Sequence, residues 1–272
     1  MIRHFLNPPN WFTSASIFCS VYALSLVIGR EVTPELLSRA CLLIVFGGVF
    51  DLLDGRVARM TNRYSEFGVQ LDSIADIVSF GVAPALLVYA WKLHELGFPG
   101  VLVAFWFALA AAFRLARFNV NTNLGEWTLK GHSQGLTSTM AGGTLVTFIW
   151  VSNGWAASWF HPSLGFTAFI VALLGLLMVS SAPFRTFRDI RVNRTARGLL
   201  ALSFAACLAG ALVLHPSMWF GVGAFLYITV GLIDSAIVWL HFRKAGAPLP
   251  GDREEAELAA LDEQLEPAEA DI

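Results

Sequence analysis

Asp51, Asp54, Asp72 and Asp76 place four carboxylates within 26 residues of an otherwise strongly apolar chain. Gly55, Ala58, Arg59 and Gly68 stand among them in the register D-x2-D-G-x2-A-R-x8-G-x3-D-x3-D. Charged side chains at membrane depth are costly, so such a cluster points to function before packing. Asp51, Asp54, Gly55, Ala58 and Arg59 fall at i, i+3, i+4, i+7 and i+8, one face of a helix; Gly68, Asp72 and Asp76 are spaced by four and share another. Thr61, Asn62 and Ser65 suit a short polar turn between them, so an antiparallel helix pair would bring the four acids together. Carboxylates that close repel one another in a poorly solvated site unless cations sit among them. Oxygen ligands of this kind suit Mg2+ or Mn2+, with Ca2+ as a third candidate. Two such ions bridging a diphosphate would neutralise charge that develops in phosphoryl transfer and align nucleophile with leaving group. Gly55 and Ala58 leave room for a nucleotide at the helix backbone, and Arg59 offers an always-charged, planar donor to phosphate oxygens. The competing structural reading is a set of interhelical salt bridges from these acids to Arg56, Arg59 or Arg63.

The elements that must hold this cluster are membrane helices. Hydrophobic residues make up 56% of the 272 and charged residues only 14%, against about a quarter charged in a soluble domain. Trp11–Gly29, Leu96–Phe113, Ser133–Phe184 and Gly198–Ile233 contain no Asp, Glu, Lys or Arg. A crossing needs roughly 20 apolar residues, and lipid leaves backbone groups no water to bond, so the spans should be helices. The pattern predicts eight, at about 11–29, 35–60, 66–91, 97–117, 136–154, 163–183, 198–214 and 217–241. Arg3, Arg56, Arg59, Arg63, Arg114, Arg117, Lys130, the run Arg185–Arg197, Arg243 and Lys244 gather at one set of span ends; Arg30, Arg39 and Lys92 mark the other. That asymmetry predicts a multi-pass protein of the cytoplasmic membrane with both termini and the acids on the cytosolic side. The arginine run could bind anionic lipid headgroups or hold phosphates of a lipid nucleotide. From Gly251 the chain is acidic, Ala-rich and without aromatics, as in a disordered or weakly helical tail. Cys19, Cys41 and Cys207 lie in apolar runs without paired spacing, so a disulfide framework is not expected.

The aspartate register resembles the signature of the CDP-alcohol phosphotransferases, membrane enzymes that make phospholipid headgroups. The resemblance implies that Asp51, Asp54 and Asp72 are metal ligands. It implies further that Asp76 ligates metal or accepts the proton of the incoming alcohol, and that Asp54, Gly55, Ala58, Arg59 and Gly68 line the nucleotide. Pro9-Asn10-Trp11-Phe12-Thr13 is similar to the element before the family's first span, which implies cytidine contacts from Asn10 and Thr13; a proline-led helix start is the plainer account. Three stretches look like the phosphatidylserine synthase branch: Asp72 to Pro84, Phe113-Arg114-Leu115-Ala116-Arg117-Phe118-Asn119, and Leu177-Met178-Val179-Ser180. In that branch Arg114, Arg117 and Asn119 would hold phosphate or the serine carboxylate, although arginines snorkelling at a helix end read the same. One departure stands out: Thr137 occupies a place where these synthases commonly carry proline.

The resemblance thus implies an all-α membrane bundle, a six-helix core over residues 1–190, a helix pair over 191–244 and an acidic tail over 245–272. It implies transfer of a phosphatidyl group from CDP-diacylglycerol to L-serine, with divalent metal, among membrane lipids, by a homodimer and without nucleic acid. Choline, glycerol 3-phosphate or an inositol phosphate are the alternative acceptors. A cation transporter, suggested by Asp234 in the last span, is the alternative class; a polar helix contact is the simpler reading of that residue.

Overall fold

A computed structural model describes residues 7–61, 65–124, 132–154, 156–185 and 216–245. The span predicted at 198–214, Arg3, Arg63, Lys130, Cys207, the arginines from 188 to 197 and the acidic tail lie outside the described residues. So do the boundary near residue 190 and the polar residue Asn62.

Helix α1 (Pro8–Val27) begins on two prolines, whose fixed φ and missing N–H suit a first turn. It packs along α2 (Pro34–Thr61). Next come α3 (Glu66–Asp76), a π-helical turn (Ile77–Val82), α4 (Ala83–Trp91) and a 3-10 turn (Leu93–Leu96). Helix α5 (Phe98–Leu124) leads to a short strand β1 (His132–Gln134), then α6 (Ser138–Asn153), α7 (Leu164–Val179), strand β2 (Pro183–Arg185) and α8 (Pro216–Ala245). The helical membrane bundle is as expected from the sequence, and its limits follow from local chemistry. Ser65, Thr137 and Ser163 each accept a backbone N–H three residues on, from Gly68, Met140 and Phe166, supplying the side-chain caps that free helix N-termini require.

Among the described residues five helical stretches are long and apolar enough to cross a bilayer: Pro8–Val27, Pro34–Thr61, Glu66–Trp91, Phe98–Asn121 and Phe220–Leu240. Helices α6 and α7 have 16 residues each, about 24 Å at 1.5 Å per residue, short of a full hydrocarbon crossing. Two features depart from the sequence reading. The 66–91 span is not one continuous α-helix but is interrupted by the π turn. The all-helical fold also carries one antiparallel ladder, which pairs His132 with Arg185, Ser133 with Phe184 and Gln134 with Pro183.

The core lies where α4, α5, α6 and α7 meet, around Leu87, Val88, Phe107, Leu145, Ile149 and Val171. Outward-facing Phe18, Phe46, Phe105, Phe169 and Ile233 are each at least half exposed; large apolar side chains turned outward in this way face lipid in a multi-pass protein. Small residues let helices close up. Gly142 of α6 sits against the π turn so tightly that a Cβ would collide with the Phe80 carbonyl and lie 2.9 Å from its Cα. Because the obstacle is backbone, it cannot move aside as a side chain would. Gly142→Ala is therefore expected to destabilise the protein by about 1–3 kcal/mol, the usual range for overpacking. An unchanged thermal midpoint in detergent would show that the two elements do not touch this way.

Candidate active site

The four acids converge at one end of the bundle because two helix ends are fixed there. Helix α2 runs about 25 Å from Pro34 before it reaches Asp51, and α5 covers nearly the same length between Phe98 and Arg114. The acids and the arginine therefore arrive at one level. Helix α3 starts beyond that level, on the Ser65 cap, and carries Asp72 and Asp76 back to it.

Carboxylate oxygens of Asp51, Asp54 and Asp72 lie within 4.8 Å of one another. Asp54 is buried at 6% exposure. Asp76 stands beside Asp51 within hydrogen-bonding reach and shares the field of Asp72 and Asp54. Its Oδ1 is buried without any hydrogen-bond partner. Two carboxylates cannot meet as bare anions; a cation or a proton has to stand between them. Four acids, an orphaned buried oxygen and an all-oxygen donor set are thus the features that a small, hard divalent cation fits. Of the four acids expected to converge, Asp51, Asp54 and Asp72 form the close cluster, and Asp76 stands next to it beside Asp51.

Helix α1 flanks the cluster on one side. Thr13 donates from Oγ1 to Asp54 Oδ2 at 2.7 Å, tying α1 to α2 across 41 residues. Asn10 is buried at 4% exposure, and its Oδ1 would lie 3.3 Å from a Cβ on Gly68. Gly68 is thus the gap through which the start of α1 approaches α3. At Gly55 a Cβ would meet nothing within 4 Å, so this face is open, as a nucleotide would need. Ala58 is half-buried one turn further and Arg59 is exposed.

Helix α5 flanks the other side. Arg114 is buried at 8% exposure, close enough to Asp76 to act on its charge. Its Nη1 donates to Ser138 Oγ at 3.4 Å, and the guanidinium lies 5.2 Å from the Phe118 ring centroid. Asn119 Nδ2 donates to Ser73 Oγ at 3.2 Å, between the two α3 aspartates. Arg117, expected beside Arg114 and Asn119 on substrate, is turned onto backbone: Nη1 donates to the Val179 carbonyl at 2.8 Å, and Nη2 faces those of Ser180, Met178 and Gln134 at 3.1, 3.2 and 3.3 Å. Sequence reasoning did not single out Ser73, Ser138, Asn121 or Gln134. Ser73 had a readable signal, lying between Asp72 and Asp76; the others are recognisable only once α5 and α6 are side by side. Thr137 caps α6 through its hydroxyl, which accepts from Met140 N. Proline would offer no such acceptor.

Residues 6–232 match the family described as CDP-alcohol phosphatidyltransferase. Over 192 residues, 69% of this chain and 77% of the relative, the sequence is 35% identical to a CDP-diacylglycerol–serine O-phosphatidyltransferase of Helicobacter pylori. A Saccharomyces cerevisiae enzyme of the same description is 41% identical over 125 residues, 44% of this chain and 43% of its own. An archaetidylserine synthase of Methanothermobacter thermautotrophicus is 35% identical over 150 residues, 54% of this chain and 58% of its own.

Proposed function

This chain belongs to the CDP-alcohol phosphatidyltransferase family, and on that premise we propose that it transfers a phosphatidyl group from CDP-diacylglycerol to the hydroxyl of L-serine, giving phosphatidylserine and CMP. The observation that carries the reaction type is the meeting of Asp51, Asp54 and Asp72 with Asp76 alongside. Serine as the acceptor is supported by the relatives, whose names are CDP-diacylglycerol–serine O-phosphatidyltransferase and archaetidylserine synthase.

Asp51, Asp54 and Asp72 would hold two divalent cations, Mg2+ or Mn2+, with Asp76 at the edge of the same cluster. When bound, such ions neutralise charge on the diphosphate oxygens and stabilise the departing CMP. Asp76 accepts the proton of the serine hydroxyl as its oxygen bonds to the phosphorus bearing diacylglycerol; the bond from that phosphorus to the CMP oxygen breaks. Thr13 holds Asp54 in place through its 2.7 Å bond. Asn10, Gly55, Ala58, Arg59 and Gly68 form the nucleotide side, where Gly55 leaves the helix backbone open. Arg114 and Asn119 form the acceptor side, with Arg114 the donor for the serine carboxylate or the transferred phosphate. An apolar cleft of about 270 Å³ between α4 and α5, lined by Val82, Ala85, Leu86, Tyr89, Ala104 and Phe105, supports sideways entry of the lipid chains. The basic residues at this end of the bundle support a cytosolic site in the cytoplasmic membrane. The division into a core over 1–190, a helix pair and a tail, and assembly as a homodimer, belong to the same proposal.

The test is release of labelled CMP from CDP-diacylglycerol by the purified protein, with and without Mn2+ or Mg2+. Serine, choline, glycerol 3-phosphate and inositol phosphate are supplied in turn. Metal-dependent release stimulated by serine alone is expected. Stimulation by another alcohol would keep the reaction and replace the acceptor, and silence with all four would remove the enzyme reading.

A further inference from the structure

We propose that Arg117 is a positioning residue for the acceptor side of the site and does not contact substrate. The inference rests on the reading that Arg114 meets the acceptor or the transferred phosphate. Arg114, Arg117 and Asn121 recur at i, i+3 and i+7 on α5, and all three grip one segment. Arg114 reaches Ser138 Oγ, Arg117 reaches the Gln134 carbonyl, and Asn121 Nδ2 donates to Gln134 Oε1 at 3.0 Å. The same Nη2 also reaches the carbonyls of Met178 and Ser180, and Nη1 that of Val179, where α7 ends and its last C=O groups have no helical partner. A positive group there also complements the negative end of the helix dipole. One guanidinium therefore fastens the end of α7 to the strand-turn that leads into α6.

The turn it fastens is specific. Gly135 has φ +70°, a region open to glycine at little cost. A Cβ on it would collide with the Met178 carbonyl and lie 2.8 Å from Ser180 O and 3.0 Å from Arg117 Nη2. Backbone bonds run on both sides, Gly135 N to Ala182 O and Leu136 N to Leu177 O, each at 2.9 Å. Three residues beyond Gly135, Ser138 meets Arg114. Arg117 thus sets where Ser138 stands, and through Ser138 the direction of Arg114. A lysine has one point-like ammonium and cannot span carbonyls arranged about a planar fork.

The experiment compares Arg117→Ala, Arg117→Lys and Gly135→Ala in detergent-solubilised full-length protein. The readouts are serine KM, kcat, binding of CDP-diacylglycerol, and hydrogen exchange at the Gly135 and Leu136 amides. For Arg117→Ala we expect faster exchange at both amides, a fall of about 100-fold in kcat/KM for serine, as misplacement by an ångström can produce, and unchanged lipid-nucleotide binding. Arg117→Lys should not restore activity, although it restores the charge. Gly135→Ala, which keeps every charge, should reproduce the same profile, and the double variant should be no worse than either single one. Unchanged exchange in Arg117→Ala together with lost activity would overturn the proposal in favour of direct substrate contact, as would full rescue by lysine. If Gly135→Ala fails to fold, the exchange data on the two Arg117 variants decide alone. Exchange is read without turnover, so a failure of the serine reading leaves this test intact.

Discussion

Asp76→Asn lowers serine-dependent CMP release by about 10²–10⁴-fold, the contribution of a positioned general base, and leaves binding of divalent metal in place. Both halves follow from the geometry. The three acids whose oxygens lie within 4.8 Å are Asp51, Asp54 and Asp72; Asp76 adjoins them through Asp51 and faces Arg114 on its other side. An asparagine fills the same space but cannot accept the serine proton. The measurement is kcat under saturating substrate beside a metal titration followed by thermal shift. Asp72→Asn should instead lose activity and metal response together. Activity within tenfold of the parent in Asp76→Asn would remove it from proton transfer and leave it, at most, a ligand.

Asp51→Asn should abolish activity yet raise the thermal midpoint of the metal-free protein at alkaline pH, where the clustered carboxylates are ionised together. Two ionised carboxylates within 4.8 Å of one another repel by about 3–4 kcal/mol at an effective dielectric of 20, and Asp51 stands in the field of three others once the proton that separates the metal-free acids has been lost. Removing its charge relieves a strain that the parent tolerates only for function, a common form of the stability–activity trade-off. Metal acts on only one of the two proteins. At a concentration of 100 Kd a cation stabilises the parent by about 2.7 kcal/mol, and this shift should vanish in the variant. Chelation should likewise silence the parent and destabilise it at once, and Mn2+ should restore both. A metal-free Asp51→Asn protein that melts lower than the parent, with its Mn2+ shift intact, would mean that the acids are not clustered around a cation.

The acids were legible because their information is local: spacing by three, four and seven fixes a face wherever the helix goes. Convergence of α2 and α3 followed from a turn too short to allow anything else. The different hydrogen-bond partners of Arg114 and Arg117 were not legible for the opposite reason. The two arginines are three residues apart on one helix face, identical in type, and only the neighbours differ: Ser138 for one, carbonyls about 60 residues away for the other. The bond from Thr13 to Asp54 was not legible either, because nothing in a single sequence links positions 41 apart. The β1–β2 ladder escaped notice because three-residue strands carry no period to detect. Thr137 shows that a departure from a family pattern can be sound local chemistry, since a hydroxyl caps α6 where proline would not.

The π turn after Asp76 has a consequence for how this protein can be rebuilt. A π turn advances the chain by more residues per revolution than the α-helix on either side, so α3 and α4 are out of phase with a single straight rod. Deleting one residue between Ile77 and Val82 would rotate everything below by about 100° relative to the acids. Either the aspartates would keep their neighbours on α2 or Phe80 and Gly81 of the turn would keep their seats on Gly142 and Ala111, but not both. Chimeras that splice the upper half of this helix onto a relative's lower half must therefore match the residue count from Asp76 to Pro84, even where every exchanged side chain is conservative.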